Sequence, residues 1–150
     1  MWGRYLFTDS NRSIKRYFKH TIKSVRKYVL AKKKSKLEFL YGIFLETNKI
    51  HVGNIKIGPI NKIHKTTFIS YIIGNSKFRF KGIMSEAFNQ IFNLAKKKFK
   101  IKKIQAGIYD NNISSKKLLE KNKFKLEGVF SSQLIYKKKI IKKLIYGKII

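Results

Sequence analysis

Arg79, Lys81 and Gly82 fall together in the run Ile72-Ile73-Gly74-Asn75-Ser76-Lys77-Phe78-Arg79-Phe80-Lys81-Gly82-Ile83-Met84-Ser85-Glu86-Ala87. A guanidinium, an ammonium and a residue without a Cβ, set just ahead of a helix, suit the binding of phosphate. The two cations supply charge, and the glycine lets the backbone approach the ligand. A strand through Ile72 and Ile73 would enter the turn. A helix opening at Gly82 would then aim its free amides and its positive dipole end at one spot, which suits a pyrophosphate. The same run also serves as an ordinary strand-to-helix turn on a lysine-rich surface.

A second run, Tyr109-Asp110-Asn111-Asn112-Ile113-Ser114-Ser115-Lys116-Lys117-Leu118-Leu119-Glu120-Lys121-Asn122-Lys123-Phe124, has the form of a strand end followed by a helix. Read by itself, Asn112 is a helix N-cap and Ser115 a polar residue of the first turn. Residues for proton transfer are scarce. His51 and His64 are the neutral-pH titrators expected near an acceptor, while His20 lies in an early helix. Both suit surface or structural roles as well as a base, and Glu86 suits the first turn of its helix. Deprotonation through water is equally compatible, so no catalytic residue is assigned.

The two runs resemble, in order and spacing, the acyl-CoA motifs of the GNAT superfamily of N-acetyltransferases. Arg79 to Met84 is similar to the loop Q/R-x-x-G-x-G/A, with Arg79 and Gly82 on pattern and Met84 in the small final position. Through Ala87 the run resembles the WGKGYATEA-like segment of the branch holding ribosomal-protein N-terminal and polyamine acetyltransferases; there Phe80 replaces a glycine and Arg79 an aromatic. The second run resembles Y-x-x-N-x-x-S-x-x-x-x-E-K-x-G-F at Tyr109, Asn112, Ser115, Glu120, Lys121 and Phe124, with Lys123 in place of glycine. Glu127-Gly128 fits the family's EG pair, and His51 to Asn61 looks like its second and third sheet segments. The resemblance covers about residues 13 to 148, with the first strand shortened or absent.

What the resemblance implies is attack of an acceptor amine on the thioester of acetyl-CoA through a tetrahedral oxyanion, with no need of a metal. A backbone amide at Ile72 or Ile73 would polarise the carbonyl. The loop residues Arg79, Phe80, Lys81, Gly82, Ile83, Met84 and Ser85 would bind the cofactor, and Asn112 and Ser115 would face its pantetheine and phosphate portion. The position that often holds a tyrosine acid corresponds to Leu119. Gly58-Pro59-Ile60-Asn61 resembles relatives associated with surface-sugar biosynthesis, which puts an aminosugar on a nucleotide carrier first among acceptors, ahead of a protein N-terminus or a polyamine.

The elements that must position these residues can be read from periodicity. Residues 12 to 31 carry apolar side chains at a spacing near 3.6, giving one helix or two broken near His20 and Thr21. Strands follow at Leu37 to Leu45, Ile50 to Ile57 and Thr66 to Ile73, the second closed by Gly58-Pro59. A helix from about Gly82 to Lys98, a strand at Ile101 to Tyr109 and a helix at Ser114 to Asn122 come next. Strands at Phe124 to Phe130, Leu134 to Tyr136 and Ile140 to Tyr146 complete the order. This is one α/β (α+β) domain over residues 1 to 150, with a mixed, mainly antiparallel sheet flanked by helices.

Composition bounds the rest. The 36 basic and 7 acidic residues give a formal charge of +29, and all the cations but Arg4, Arg12, Arg16, Arg26 and Arg79 are lysine. Abundant Lys, Ile, Asn, Phe and Tyr with little Ala and Pro is the bias AT-rich codons produce. A field that attracts CoA is the second explanation and nucleic-acid binding the third, because the lysines are scattered and no RNP or recognition-helix pattern is present. The absence of cysteine excludes disulfides and thiolate chemistry. No apolar run is long enough to span a bilayer and no signal peptide is evident, so a cytoplasmic protein is expected. The expected partners are acetyl-CoA and an amine, with a homodimer admitted. A basic nucleic-acid-binding module and a GNAT fold with little activity are the competing readings.

Overall fold

The computed structural model describes residues 21–136 and 138–150. Among these residues three α-helices and six strands follow one another as α1 (Ile22–Lys34), β1 (Phe39–Phe44), β2 (His51–Ile57), β3 (Thr66–Ile73), α2 (Ile83–Phe99), β4 (Lys103–Tyr109), α3 (Ile113–Lys121), β5 (Lys125–Tyr136) and β6 (Lys139–Ile149). The strands form one sheet in the order β1-β2-β3-β4-β6-β5. Every neighbouring pair is antiparallel except β3 and β4, which are parallel. The parallel pair needs a crossover, and α2 supplies it.

α2 is set by its apolar stripe. Met84, Phe88, Ile91, Phe92 and Ala95 recur at helical spacing and are buried against Ile55, Ile57 and Ile69 of one half of the sheet and Ile104, Ala106, Ile108 and Tyr146 of the other. Phe88 meets Tyr71 edge-on at 4.9 Å and lies 5.3 Å from Phe92, while Phe124 stands 6.2 Å from Phe88 and 5.8 Å from Phe92. These rings fix α2 to β3 and to the start of β5. Lys96, Lys97 and Lys98 occupy the last turn, where the helix dipole favours cations.

β2 is covered on both faces. Ile55 and Ile57 join the α2 core, and the alternate residues Asn54 and Lys56 face α1 across a half-open hollow that Tyr28, Leu40, Ser70 and Ile72 also line. Lys56 is 4% exposed and reaches Glu38 at 2.9 Å, and the same carboxylate accepts from Lys32 of α1. The ion pair is therefore what seats α1 on the sheet. Thr21 starts α1 with a reciprocal capping box to Ser24.

Element types and order agree with the sequence reading, and the differences have local causes. The break expected at Thr21 is the N-cap of α1, and the helix runs on to Lys34 because lysines propagate a helix well. Residues 12 to 20 of the expected helix, His20 and the shortened first strand lie outside the described residues. Two expected strands, Phe124 to Phe130 and Leu134 to Tyr136, are one strand, β5. The polar Ser131-Ser132-Gln133 is carried within it by a register irregularity against β6, between Phe130 and Leu134.

Phe80 and Lys123, the two positions where the family motifs carry glycine, have left-handed backbones with φ of 61° and 64°. Lys123 follows α3 at its C-terminal end, where its N–H and that of Phe124 return to the Glu120 and Leu119 carbonyls. A side chain there is strained, so Lys123→Gly is expected to raise stability by about 1 kcal/mol. Denaturant unfolding showing no gain would contradict this account of the turn.

Burial alone would push the Glu38 carboxyl up, but hydrogen bonds and charge from Lys32 and Lys56 hold it below the usual glutamate range. A folded-state value below the unfolded one contributes stability that is complete above about pH 4.3 and fades as pH falls through the folded value. Glu38→Gln is expected to cost about 3 kcal/mol at neutral pH. The gap to wild type should narrow as pH is lowered toward about 3; a gap constant with pH would show that the carboxylate's charge is immaterial.

Candidate functional site

The β3–β4 ladder pairs Thr66, Thr67 and Phe68 with Lys103, Ile104 and Gln105 and then stops, although β3 continues to Ile73 and β4 to Tyr109. Their outer partners stay paired to the end. Gly53 and Asn54 of β2 still face Ile73 and Ile72, with Gly74 N–H donating to the Val52 carbonyl at 2.9 Å. On the other side Tyr109 faces Lys143 of β6, and the Asp110 amide donates to the Lys142 carbonyl at 3.1 Å. A gap therefore opens between the C-terminal ends of two parallel strands, the place where open α/β sheets bind ligands.

The register decides which amides face that gap. The Gly58 amide donates to the Phe68 carbonyl and the Gly74 amide to the Val52 carbonyl, so positions two apart between them, Ser70 and Ile72, also turn toward β2. Tyr71 and Ile73 turn the other way. Of the two expected polarising amides, Ile73 faces the gap and Ile72 does not. The Ile72 side chain lines the hollow on the α1 side.

α2 begins at the same end of the sheet. Gly82 is its N-cap, in a left-handed conformation with φ 80°, and no side chain caps the first amides. A Cβ built on Gly82 would meet nothing within 4 Å, so the approach to these amides is open. The side chains of the loop are less unified than the motif implied. Arg79 folds back, its Nε donating to the Ile73 carbonyl at 3.2 Å, and Phe80 is 89% exposed. Lys81 Nζ stands 6.0 Å from the Phe78 ring centroid. Met84 is buried in the core, leaving its backbone alone at the helix start, and Ile83 is half-buried. The Ser85 hydroxyl accepts from Asn122 Nδ2 at 3.0 Å.

α3 likewise begins just after β4 ends. Asn112 is its N-cap, with Oδ1 accepting from the Ser115 amide at 3.2 Å. The capping role is thus realised through the oxygen, and the amide nitrogen is the donor that remains. Leu119, at the position of the family's tyrosine acid, is fully buried in the core and brings no hydroxyl.

The two histidines separate. His51 begins β2 beside the C-terminal end of β3, where its Nε2 is 3.0 Å from Asn54 Oδ1 and its ring 5.1 Å from that of Phe44. His64 sits in the β2–β3 turn, at the opposite end of β3, and is exposed. Only His51 is at the gap end. Two residues inside the quoted motifs had been given no role. Asp110, at the tip of β4, has a buried Oδ1 without a hydrogen-bond partner among the described residues, and Asn122 bonds Ser85. Nothing in sequence marks either, because Asp and Asn beside a helix read as turn and cap residues.

Among the described residues no group of three or more acidic or histidine side chains could hold a metal, and no helix is long and apolar enough to cross a membrane.

A family model described as acetyltransferase (GNAT) domain matches residues 2–125. The probable N-acetyltransferase YjcK of Bacillus subtilis (strain 168) is 31% identical over 93 residues, 61% of this chain and 51% of the relative. The chain spans about half the length of that curated relative. Among solved structures, the spermidine N-acetyltransferase from Vibrio cholerae in complex with CoA and spermine superposes with a TM-score of 0.79 at 15% identity, over 87% of this chain and 76% of that one. A probable acetyltransferase gives 0.72 at 17% identity, over 84% and 68%. Likenesses at such low identity speak for the fold, and they agree with the mixed sheet flanked by helices. With a family model matched over most of its length and the two motifs meeting at one end of the sheet, the chain belongs to the GNAT acetyltransferase domain family.

Proposed function

We propose that the chain transfers the acetyl group of acetyl-CoA to a primary amine, with residues 1 to 150 acting as one acyltransferase domain in the cytoplasm. The observation that carries this reading is the meeting of an uncapped, sterically open helix start at Gly82 with the gap between β3 and β4. Pyrophosphate would bind the first amides of α2 through their partial positive charge, and Arg79 and Lys81 would add to it. The pantetheine arm would lie in the gap, with the free amide hydrogens of Asn112 beside it. The thioester oxygen would accept from the Ile73 N–H as negative charge develops on it.

In the reaction the amine nitrogen attacks the thioester carbon, the amide forms, the carbon–sulfur bond breaks, and the departing thiolate takes up the proton that the amine gives up, so that CoA leaves as the thiol. That proton would pass through water or a base, and among the described residues His51 is the imidazole at that end of the sheet.

The acceptor is argued from charge. The formal charge of +29 draws anionic molecules and repels cations. Of the seven acidic residues, Glu38 serves Lys32 and Lys56, Glu127 serves Lys103 at 2.8 Å and Glu120 accepts from Tyr146 at 3.2 Å. A polyamine is therefore poorly matched, in contrast to the neighbour solved with spermine. An aminosugar on a nucleotide carrier, which brings phosphates with its amine, fits the field, and a protein N-terminus stands second. Thiol release from acetyl-CoA, measured with each acceptor class, is expected to be fastest with the aminosugar nucleotide and to fall steeply with salt. Turnover confined to polyamines would overturn the acceptor assignment, and no turnover with any amine would favour a fold with little activity.

Asn112 separates a capping role from a cofactor role. Asp caps a helix as well as Asn does, but it lacks the amide donor and brings negative charge near the phosphates. Asn112→Asp is expected to keep its thermal midpoint and to bind acetyl-CoA about tenfold more weakly. Equal affinity in calorimetry would leave Asn112 as a cap only.

A further inference from the structure

Asn122 closes α3 and bonds its own helix and two other parts of the fold. Its Nδ2 donates to Ser85 Oγ at 3.0 Å and to the Leu118 carbonyl at 2.8 Å, while its own carbonyl accepts from Lys148 Nζ at 2.7 Å. The Leu118 oxygen can only accept, which fixes the nitrogen end of the amide. Lys148 belongs to β6 and stands 5.3 Å from the Phe92 ring centroid of α2. One residue thus joins the end of α3 to the first turn of α2 through its side chain and to the sheet through its backbone carbonyl.

The consequence falls on Ser85. A hydroxyl has one hydrogen and two lone pairs, and Asn122 occupies a lone pair. The Ser85 hydrogen must point away from that donor. Among the described residues nothing takes it. A helical serine can turn this hydrogen back onto a carbonyl of the preceding turn. The Ser85 hydroxyl makes no such bond and lies in the first turn of α2, among the open amides that follow Gly82.

We infer that Asn122 is a positioning residue for the acyl donor: it presents the Ser85 hydroxyl as a hydrogen-bond donor to a phosphate oxygen of CoA. The inference rests on the reading of the α2 start as the pyrophosphate site. It adds that the two helices bordering the gap are coupled through one amide, so that α3 helps to prepare a ligand contact made by α2.

The test is calorimetry of acetyl-CoA and of acetyl-pantetheine, which lacks the pyrophosphate, on folded wild type, Ser85→Ala, Asn122→Ala and the double variant. Each single change is expected to weaken acetyl-CoA about tenfold, the value of one hydrogen bond to a charged group. The double variant should bind no more weakly than Ser85→Ala, and acetyl-pantetheine should be unaffected throughout. Asn122→Asp, which would accept the Ser85 proton while keeping its backbone carbonyl for Lys148, provides a second variant and should weaken acetyl-CoA at least as much. Additive losses, or equal losses with acetyl-pantetheine, would overturn the inference. A wild type that binds both ligands alike refutes the pyrophosphate placement itself, whereas a wild-type preference that survives in Asn122→Ala and Asn122→Asp refutes only the part given to Asn122.

Discussion

The constraint on which the site depends is that β3 and β4 are each held more completely by an outer neighbour than by one another. Their shared ladder ends at Phe68 and Gln105, while the pairing of β3 with β2 and of β4 with β6 continues to the strand ends. Hydrogen bonds anchor the other end of the pair, where the amides of Lys102 and Lys103 both reach the Lys65 carbonyl. The strands therefore start together and finish apart. Gly53 contributes directly, since a Cβ there would come within 2.3 Å of the Ile72 carbonyl oxygen and push β3 off β2 at the level where the gap opens. Backbone groups that an uninterrupted sheet would consume are left unpaired between the two strands.

Helix placement follows from that constraint and from packing. Both crossovers leave the C-terminal ends of the parallel strands, so both bring a helix start to the gap. The aromatic contacts of Phe88 and Phe92 set the depth of α2, and the buried Met84 fixes its first turn from below. The groups left unpaired at the gap end are then mostly backbone. This explains how the loop can carry Phe80 in place of a small residue: its side chain points to solvent, and the cost is a left-handed backbone, not a blocked site.

Much of this was legible in sequence because it rests on periodicity and on spacing along the chain. The stripe from Met84 to Ala95 declares α2, and Asn112 with Ser115 declares the start of α3. Long-range pairing was not legible. Whether Ile72 or Ile73 turns toward the gap depends on register against β2, and which histidine lies at the gap depends on the direction of β2. Neither is written in local composition. The continuity of β5 through Ser131-Ser132-Gln133 was missed for a related reason, since only pairing with β6 keeps a polar stretch extended. Asn122 was passed over because its partners, Ser85 and Lys148, are distant in the chain.

The sheet is, in effect, two antiparallel ribbons, β1-β2-β3 and β4-β6-β5, stitched by a parallel seam of three residue pairs. Rotation of one ribbon against the other about that seam changes the width of the gap without breaking a ladder bond in either ribbon. What resists the rotation is α2, whose buried face lies across both ribbons. The helix that starts at the mouth of the gap is therefore also the brace between the ribbons, and its buried stripe bears on both at once.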